Sequence, residues 1–262
     1  MMFEHHRQTI ENLRRAFEKD DAYLAFIVNG SVARGDAGEG SDVDYYLVID
    51  DTAFNALLEK HAISHESNQY CVPPCQEANG FLTSKAFLRE TRDRGSEIAR
   101  WSFCGAQVVF ARDDDIDTLV KQIPCYPETE RQGKMESYHS QMFYHLSFFE
   151  FAYYSRTRYL VYETATKMVH SAGRLILADN RTLYPGRKRF FQELQRVPDK
   201  PEAICDAMLA FLEKPTIETG RIVVDMVQNH KRYPIPPEGV KERVIKDSVL
   251  NWYYNTHCIE DW

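Results

Sequence analysis

The sequence has no uninterrupted apolar run near the roughly eighteen residues that a membrane span needs, so no membrane passage is expected. It also lacks a basic excess: 32 Lys and Arg stand against 39 Asp and Glu, a formal net charge of −7. Non-specific nucleic-acid binders neutralise phosphates with a basic surface, so a long DNA or RNA partner is disfavoured. Cysteines are few, six in 262 residues, and scattered. Cys71 and Cys75 flank "VPP", but no second close pair completes a zinc site, and free, buried thiols are expected. His5 and His6 have no companion ligands nearby in sequence. The opening stretch, "MMFEHHRQTIENLRRAFEKDD", lacks the apolar core and small-residue cleavage site of a secretory signal, which makes the cytoplasm the expected location. Internal repeats and low-complexity segments are absent as well.

What is present is ordinary globular composition, 44% hydrophobic and 27% charged, in a chain long enough for one large domain or two modest ones. Apolar spacing near 3.6 predicts a helix over 4–19, and short β-rich runs predict strands at 22–30, 42–50, 69–72, 77–83 and 106–111. Between them, 31–36 reads as a helical turn, 52–62 as a helix, and 84–103 as a helix broken near Gly95. Residues 123–134, with two prolines, a glycine and several charges, read as a linker. Beyond it come helical patterns over 135–178, 187–196, 201–213 and 216–231 without a strong strand signal. The expected organisation is an α/β (α+β) domain over 1–125 and an α-helical bundle domain over 126–262. The dense aromatics of the second part sit at helical spacing and read as packing; Tyr153, Tyr154 and Tyr159 read equally as core or as the lining of an acceptor space.

One stretch carries chemistry: "NGSVARGDAGEGSDVDYYLVID", Asn29 to Asp50. In a strand, Asp42 and Asp44 share a face, with Val43 on the other. Two neighbouring carboxylates repel unless a cation holds them ionised, and hard, oxygen-seeking Mg2+ suits one or two carboxylates plus phosphate oxygens. Gly30 lets the backbone approach a ligand closely, and Ser31 would open a short helix whose free N–H groups favour phosphate. Such a set suits phosphoryl or nucleotidyl transfer, where catalysis is positioning plus charge neutralisation. The bland alternative, Ser41 and Asp42 capping a turn, leaves Asp44 unexplained inside "VDYYLV". Other features weigh less. The "RGD" at 34–36 is coincidental, Asp113–Asp115 and Asp117 fit a solvated helix start, and Arg100–Trp101 reads as packing ahead of base stacking.

The order of these residues carries a resemblance: an apolar strand, Gly30-Ser31, a nine-residue spacer, Ser41-Asp42-Val43-Asp44, then another apolar strand. It resembles the DNA polymerase β-like nucleotidyltransferase superfamily, strongly over about 24–50 and more loosely over the rest of the α/β half. The helical half, with "NRTLYPGRK" at 180–188, is similar to the second domain of small-substrate members, the aminoglycoside and lincosamide nucleotidyltransferases. The resemblance implies a nucleotidyltransferase domain with a mixed sheet. It implies Gly30 and Ser31, with Ser41, at the nucleotide phosphates, and Asp42 and Asp44 on two Mg2+ ions bridging to the triphosphate of ATP or another NTP. It also implies a third carboxylate on a neighbouring strand that binds one metal and helps deprotonate the attacking hydroxyl. Glu77 is the choice for that role, with Glu66 and Glu97 as rivals and Asn79 as an uncharged occupant of the same slot. Lys188 reads either as a neutraliser of the triphosphate or as a solvated helix lysine. The expected function is transfer of a nucleoside monophosphate, AMP from ATP, to a hydroxyl of a small molecule such as an antibiotic. Nucleotidylation of a protein or tRNA end, and an inactive nucleotide-binding regulatory module, are the rivals. A homodimer is compatible with the resemblance.

Overall fold

The structure, a computed structural model, describes residues 2–256, 258 and 259. It divides into two compact units, Met1–Cys125 and Tyr126–Trp262.

The first unit is built on a five-stranded mixed sheet. Along the chain it runs α1 (Glu4–Phe17), β1 (Ala25–Val28), α2 (Gly30–Arg34), β2 (Val43–Ile49), α3 (Asp51–Glu59), β3 (Ser64–Glu66), β4 (Ala78–Ser84), α4 (Lys85–Arg94), α5 (Glu97–Trp101), β5 (Gln107–Ala111) and α6 (Asp115–Gln122). The strand order is β3-β4-β2-β1-β5, with β2 and β4 parallel and the other pairs antiparallel. The alternation of β2 explains the layering. Val43, Tyr45 and Leu47 join Phe26, Val28 and Ala78 against Leu13 and Phe17 of α1. Val48 faces the other way, with Ala25 and Ile27, against Leu88 of α4 and Ile116, Leu119 and Val120 of α6. Each fully buried Leu or Phe in such a layer contributes on the order of 2 kcal/mol. α1 buries His6, Thr9, Leu13 and Phe17, one stripe at helical spacing. Asp50 ends β2 and starts α3 by accepting from the backbone N–H groups of Thr52 and Ala53.

The second unit contains α7 (Glu128–Ser155), α8 (Arg158–Asp179), α9 (Phe190–Arg196), α10 (Ile204–Glu213), α11 (Ile217–His230) and shorter helical turns. No strand occurs among its described residues. Its core gathers Phe149 of α7, Met168, Ala172 and Leu175 of α8, Met208 and Phe211 of α10, and Val223 and Val227 of α11.

An α/β unit with a mixed sheet followed by a helical unit is the expected fold class. Several elements differ from expectation. Residues 69–72 are not a strand: Asn68–Tyr70 form a 3-10 turn, and the edge strand is Ser64–Glu66. The linker is shorter, because α7 starts at Glu128 straight after Pro127. The pattern over 135–178 is two helices, split at Arg156, which takes a left-handed φ of 55°. Tyr153, Tyr154 and Tyr159 are all exposed, so core packing does not account for them. No helix among the described residues is long and apolar enough to cross a membrane.

Candidate functional site

The carboxyl-bearing end of β2 lies beside the turn that leaves β1. Gly30 follows β1 directly, with φ +71°, a region L side chains enter only with strain. A Cβ there would also collide with Asp44, whose Cβ and Cγ would lie 2.8 Å away and whose Oδ2 would lie closer still. The Asn29 N–H donates to the Asp44 carbonyl at 3.0 Å. Turn and carboxylate are therefore packed together, and glycine is what makes the approach fit. Ser31, half-buried, sits in the first turn of the five-residue α2.

Asp42 stands one residue before β2, half-buried, and among the described residues its side chain makes no hydrogen bond or ion pair. Its loop is tightly held. The Ser41 hydroxyl accepts from the Gly38 N–H at 2.9 Å, and the Ser41 N–H donates to the Gly38 carbonyl at 3.2 Å. His6 Nε2–H donates to the Ser41 carbonyl at 3.0 Å, and His5 Nε2–H to the Glu39 carbonyl at 2.8 Å. Burial holds His6 below the usual imidazole range, outweighing the bond to Ser41. Sequence reading missed both histidines because their partners lie 34 and 35 residues away, a distance that no local spacing reports.

The β2–β4 register arranges the acidic candidates. Asp44 pairs with Asn79, and the first pair is Val43 with Ala78. Paired residues share a face, so the residue beside Asp44 on the next strand is a neutral amide. Glu77, exposed, precedes Ala78 as Asp42 precedes Val43. Its carbonyl accepts from the Val43 N–H at 3.0 Å, and its Oε2 accepts from Asn79 Nδ2 at 3.1 Å. Glu66 pairs with Asn79 from β3, one strand further out. Glu97 is buried at the start of α5. Among the described residues, no three His, Cys, Asp or Glu side chains converge closely enough to hold a metal by themselves. Two carboxylates beside a glycine cradle still fit a hard cation that takes its remaining ligands from phosphate oxygens and water.

Behind Asp44 the same face continues into Tyr46, whose hydroxyl bonds Ser102 Oγ at 3.0 Å and whose ring stacks on Phe103 at 4.8 Å. Burial raises the Tyr46 hydroxyl; Ser102 opposes that shift, and the Asp44 charge adds to it. Asn29 Nδ2 reaches the Ser102 carbonyl at 3.4 Å. Arg34 lies over Trp101 at 4.2 Å, and Arg100 Nε donates to the Gly95 carbonyl, so this pair is used in packing. Lys85 bonds Asp113 and Asp115 at 2.5 and 2.9 Å, consistent with the helix-start reading of that acidic run. Lys188 is exposed on a 3-10 turn of the second unit, Arg187–Arg189.

Residues 10–77 match the family model described as a nucleotidyltransferase domain. That segment runs from α1 through the Gly30 turn and β2 to Glu77. Among solved structures, the chain is similar to the nucleotidyltransferase-like protein from Exiguobacterium sibiricum 255-15, at 12% identity and a TM-score of 0.48, over 91% of this chain and 75% of that one. No curated protein matches the chain.

Proposed function

We propose that the chain is a magnesium-dependent nucleotidyltransferase of the polymerase β-like kind, a reading supported by the match of residues 10–77 to a nucleotidyltransferase domain. It moves a nucleoside monophosphate, AMP from ATP, to a hydroxyl of a small acceptor of the aminoglycoside or lincosamide kind. The observation that carries this reading is the fit of Gly30 against Asp44, with the Asp42 carboxylate, which has no partner among the described residues, two residues away.

Gly30 brings the backbone within reach of the triphosphate, and Ser31 offers its hydroxyl there. Ser41 accepts from Gly38 and keeps its own proton to donate to a phosphate oxygen. Asp42 and Asp44 would hold two Mg2+ ions, and the ions would supply charge neutralisation for the triphosphate and the leaving pyrophosphate. Glu77, oriented by the Asn79 amide on Oε2, takes the proton of the acceptor hydroxyl. The acceptor oxygen bonds to the α-phosphorus, and the bond from that phosphorus to pyrophosphate breaks.

Pyrophosphate release from MgATP across a panel of hydroxyl acceptors tests the reading. Asp42→Asn and Asp44→Asn should each lower it by about 1000-fold, equivalent to about 4 kcal/mol. An unchanged rate in either variant refutes the assignment. One observation favours a second reading, a nucleotide-binding module without turnover: the residue paired with Asp44 is Asn79, not an acid. Magnesium-dependent ATP binding with no pyrophosphate from any acceptor would select it.

A further inference from the structure

Asp42, whose carboxylate has no fixed partner among the described residues, ends a loop that has little stiffness of its own. Residues 35–42 include Gly35, Gly38 and Gly40, and glycine costs the most backbone entropy to order. A metal ligand needs the opposite, a position held to within a fraction of an ångström by its surroundings. We propose that His5 and His6 of α1 are positioning residues that clamp this loop and so set the metal affinity of Asp42. The inference rests on the reading of Asp42 and Asp44 as metal ligands, and both histidines lie N-terminal to the matched segment 10–77.

His6 is fully buried on the face of α1 that packs on the sheet. A carbonyl can only accept, so its bond to Ser41 fixes the proton on Nε2. Nδ1 is buried without a hydrogen-bond partner among the described residues. A buried polar atom left unpaired is costly, and an apolar side chain would fill the same place without that cost. What the imidazole adds is one directed N–H, spent on the carbonyl that leads into Asp42. His5 spends its N–H on Glu39, two residues earlier. One turn further along α1, Thr9 Oγ1 accepts from the Val72 N–H at 2.9 Å, on the segment that leads to Glu77. From the other side, the Val43 N–H is tied to the Glu77 carbonyl. Asp42 is thus bracketed by main-chain bonds before and after it, and one rigid helix anchors both approaching segments.

The test is Mn2+ binding, read by water-proton relaxation in the absence of any acceptor, with melting temperature measured alongside. The wild type should show a bound Mn2+ signal, which Asp44→Asn should abolish. His6→Ala should weaken Mn2+ binding by about tenfold, the scale of lost support around a metal ligand. His6→Gln, which keeps an N–H donor at similar reach, should restore most of it, and His5→Ala should weaken it by a smaller factor. Leu13→Ala, an α1 core truncation, should lower the melting temperature and leave the Mn2+ dissociation constant unchanged. Should His6→Ala not fold, His5→Ala and His6→Gln carry the comparison. A wild type that binds no Mn2+ overturns the site and the clamp together. A wild type that binds it, with both histidine variants unchanged in affinity or with Leu13→Ala weakened equally, overturns the clamp alone.

Discussion

The helical unit and the mouth of β2 handle charge in opposite ways. In the helical unit, buried charges are held side chain to side chain. Arg243 Nη1 meets Glu136 at 3.3 Å and its Nε meets Asp247 at 2.9 Å, all three residues being buried. Asp179 takes both Arg131, at 2.9 Å, and Lys231, at 2.5 Å. At the mouth of β2, the fixed bonds go to the main chain around the acids: Asn29 to the Asp44 carbonyl, His6 to the Ser41 carbonyl, Val43 to the Glu77 carbonyl. The first pattern neutralises carboxylates permanently. The second fixes where Asp42 sits and leaves its side chain uncommitted, as a ligand site requires.

The sharpest way to break that contrast is to remove one member of each set. Arg243→Met leaves Glu136 and Asp247 buried without their cation and should cost about 3–5 kcal/mol in denaturant unfolding, with Mn2+ affinity unchanged in the protein that remains folded. Asp42→Asn should behave inversely, shifting unfolding by less than about 0.5 kcal/mol while abolishing transfer. If the two variants lose stability equally, the distinction fails.

Glycines sharpen it further. Gly30→Ala combines a left-handed φ with the collision at Asp44 and should cost about 3 kcal/mol as well as metal binding. Gly186, in the helical unit, has φ +83° and open space where a Cβ would go. Gly186→Ala should show the backbone strain alone, about 1–2 kcal/mol.

Acid weighs most on the helical unit. Burial pushes His145 down to about 4 and His170 down to about 3, both from 6.5. Neighbouring cations, Lys167 for His145 and Arg174 and Arg187 for His170, push the same way, while Glu163 opposes for His145. The unfolded chain takes up these protons first, so the contribution is complete above pH 6.5 and is lost as the pH falls through about 4 and then 3. At about 1.36 kcal/mol per pH unit, the two histidines account for on the order of 3 and 5 kcal/mol over that window. Hydrogen exchange followed segment by segment should show α7 and α8 loosening in acid, and His170→Phe should flatten the dependence. A profile unchanged in that variant contradicts the assignment.

The Gly30 turn and the two aspartates were legible because strand alternation and a glycine stop are local properties. The edge strand β3 was not: Ser64, His65 and Glu66 have no apolar run, and they extend only because β4 offers a backbone edge. Pro127 and the acids of "PETE" looked like a linker, yet proline just before a helix and acids in its first turn are also start signals. Arg156 splits α7 from α8 with neither glycine nor proline to mark the break. The identity of the residue beside Asp44 needed the β2–β4 register, and the histidine clamp needed contacts across 34 and 35 residues.

Calorimetric titration of ATP, with Mg2+ and with EDTA, tests most directly whether the Gly30 turn and the Asp44 carboxylate form one seat for a metal-bound triphosphate. The prediction is binding that requires Mg2+ in the wild type and disappears in both Gly30→Ala and Asp44→Asn. Equal ATP affinity with EDTA, or in either folded variant, would contradict it.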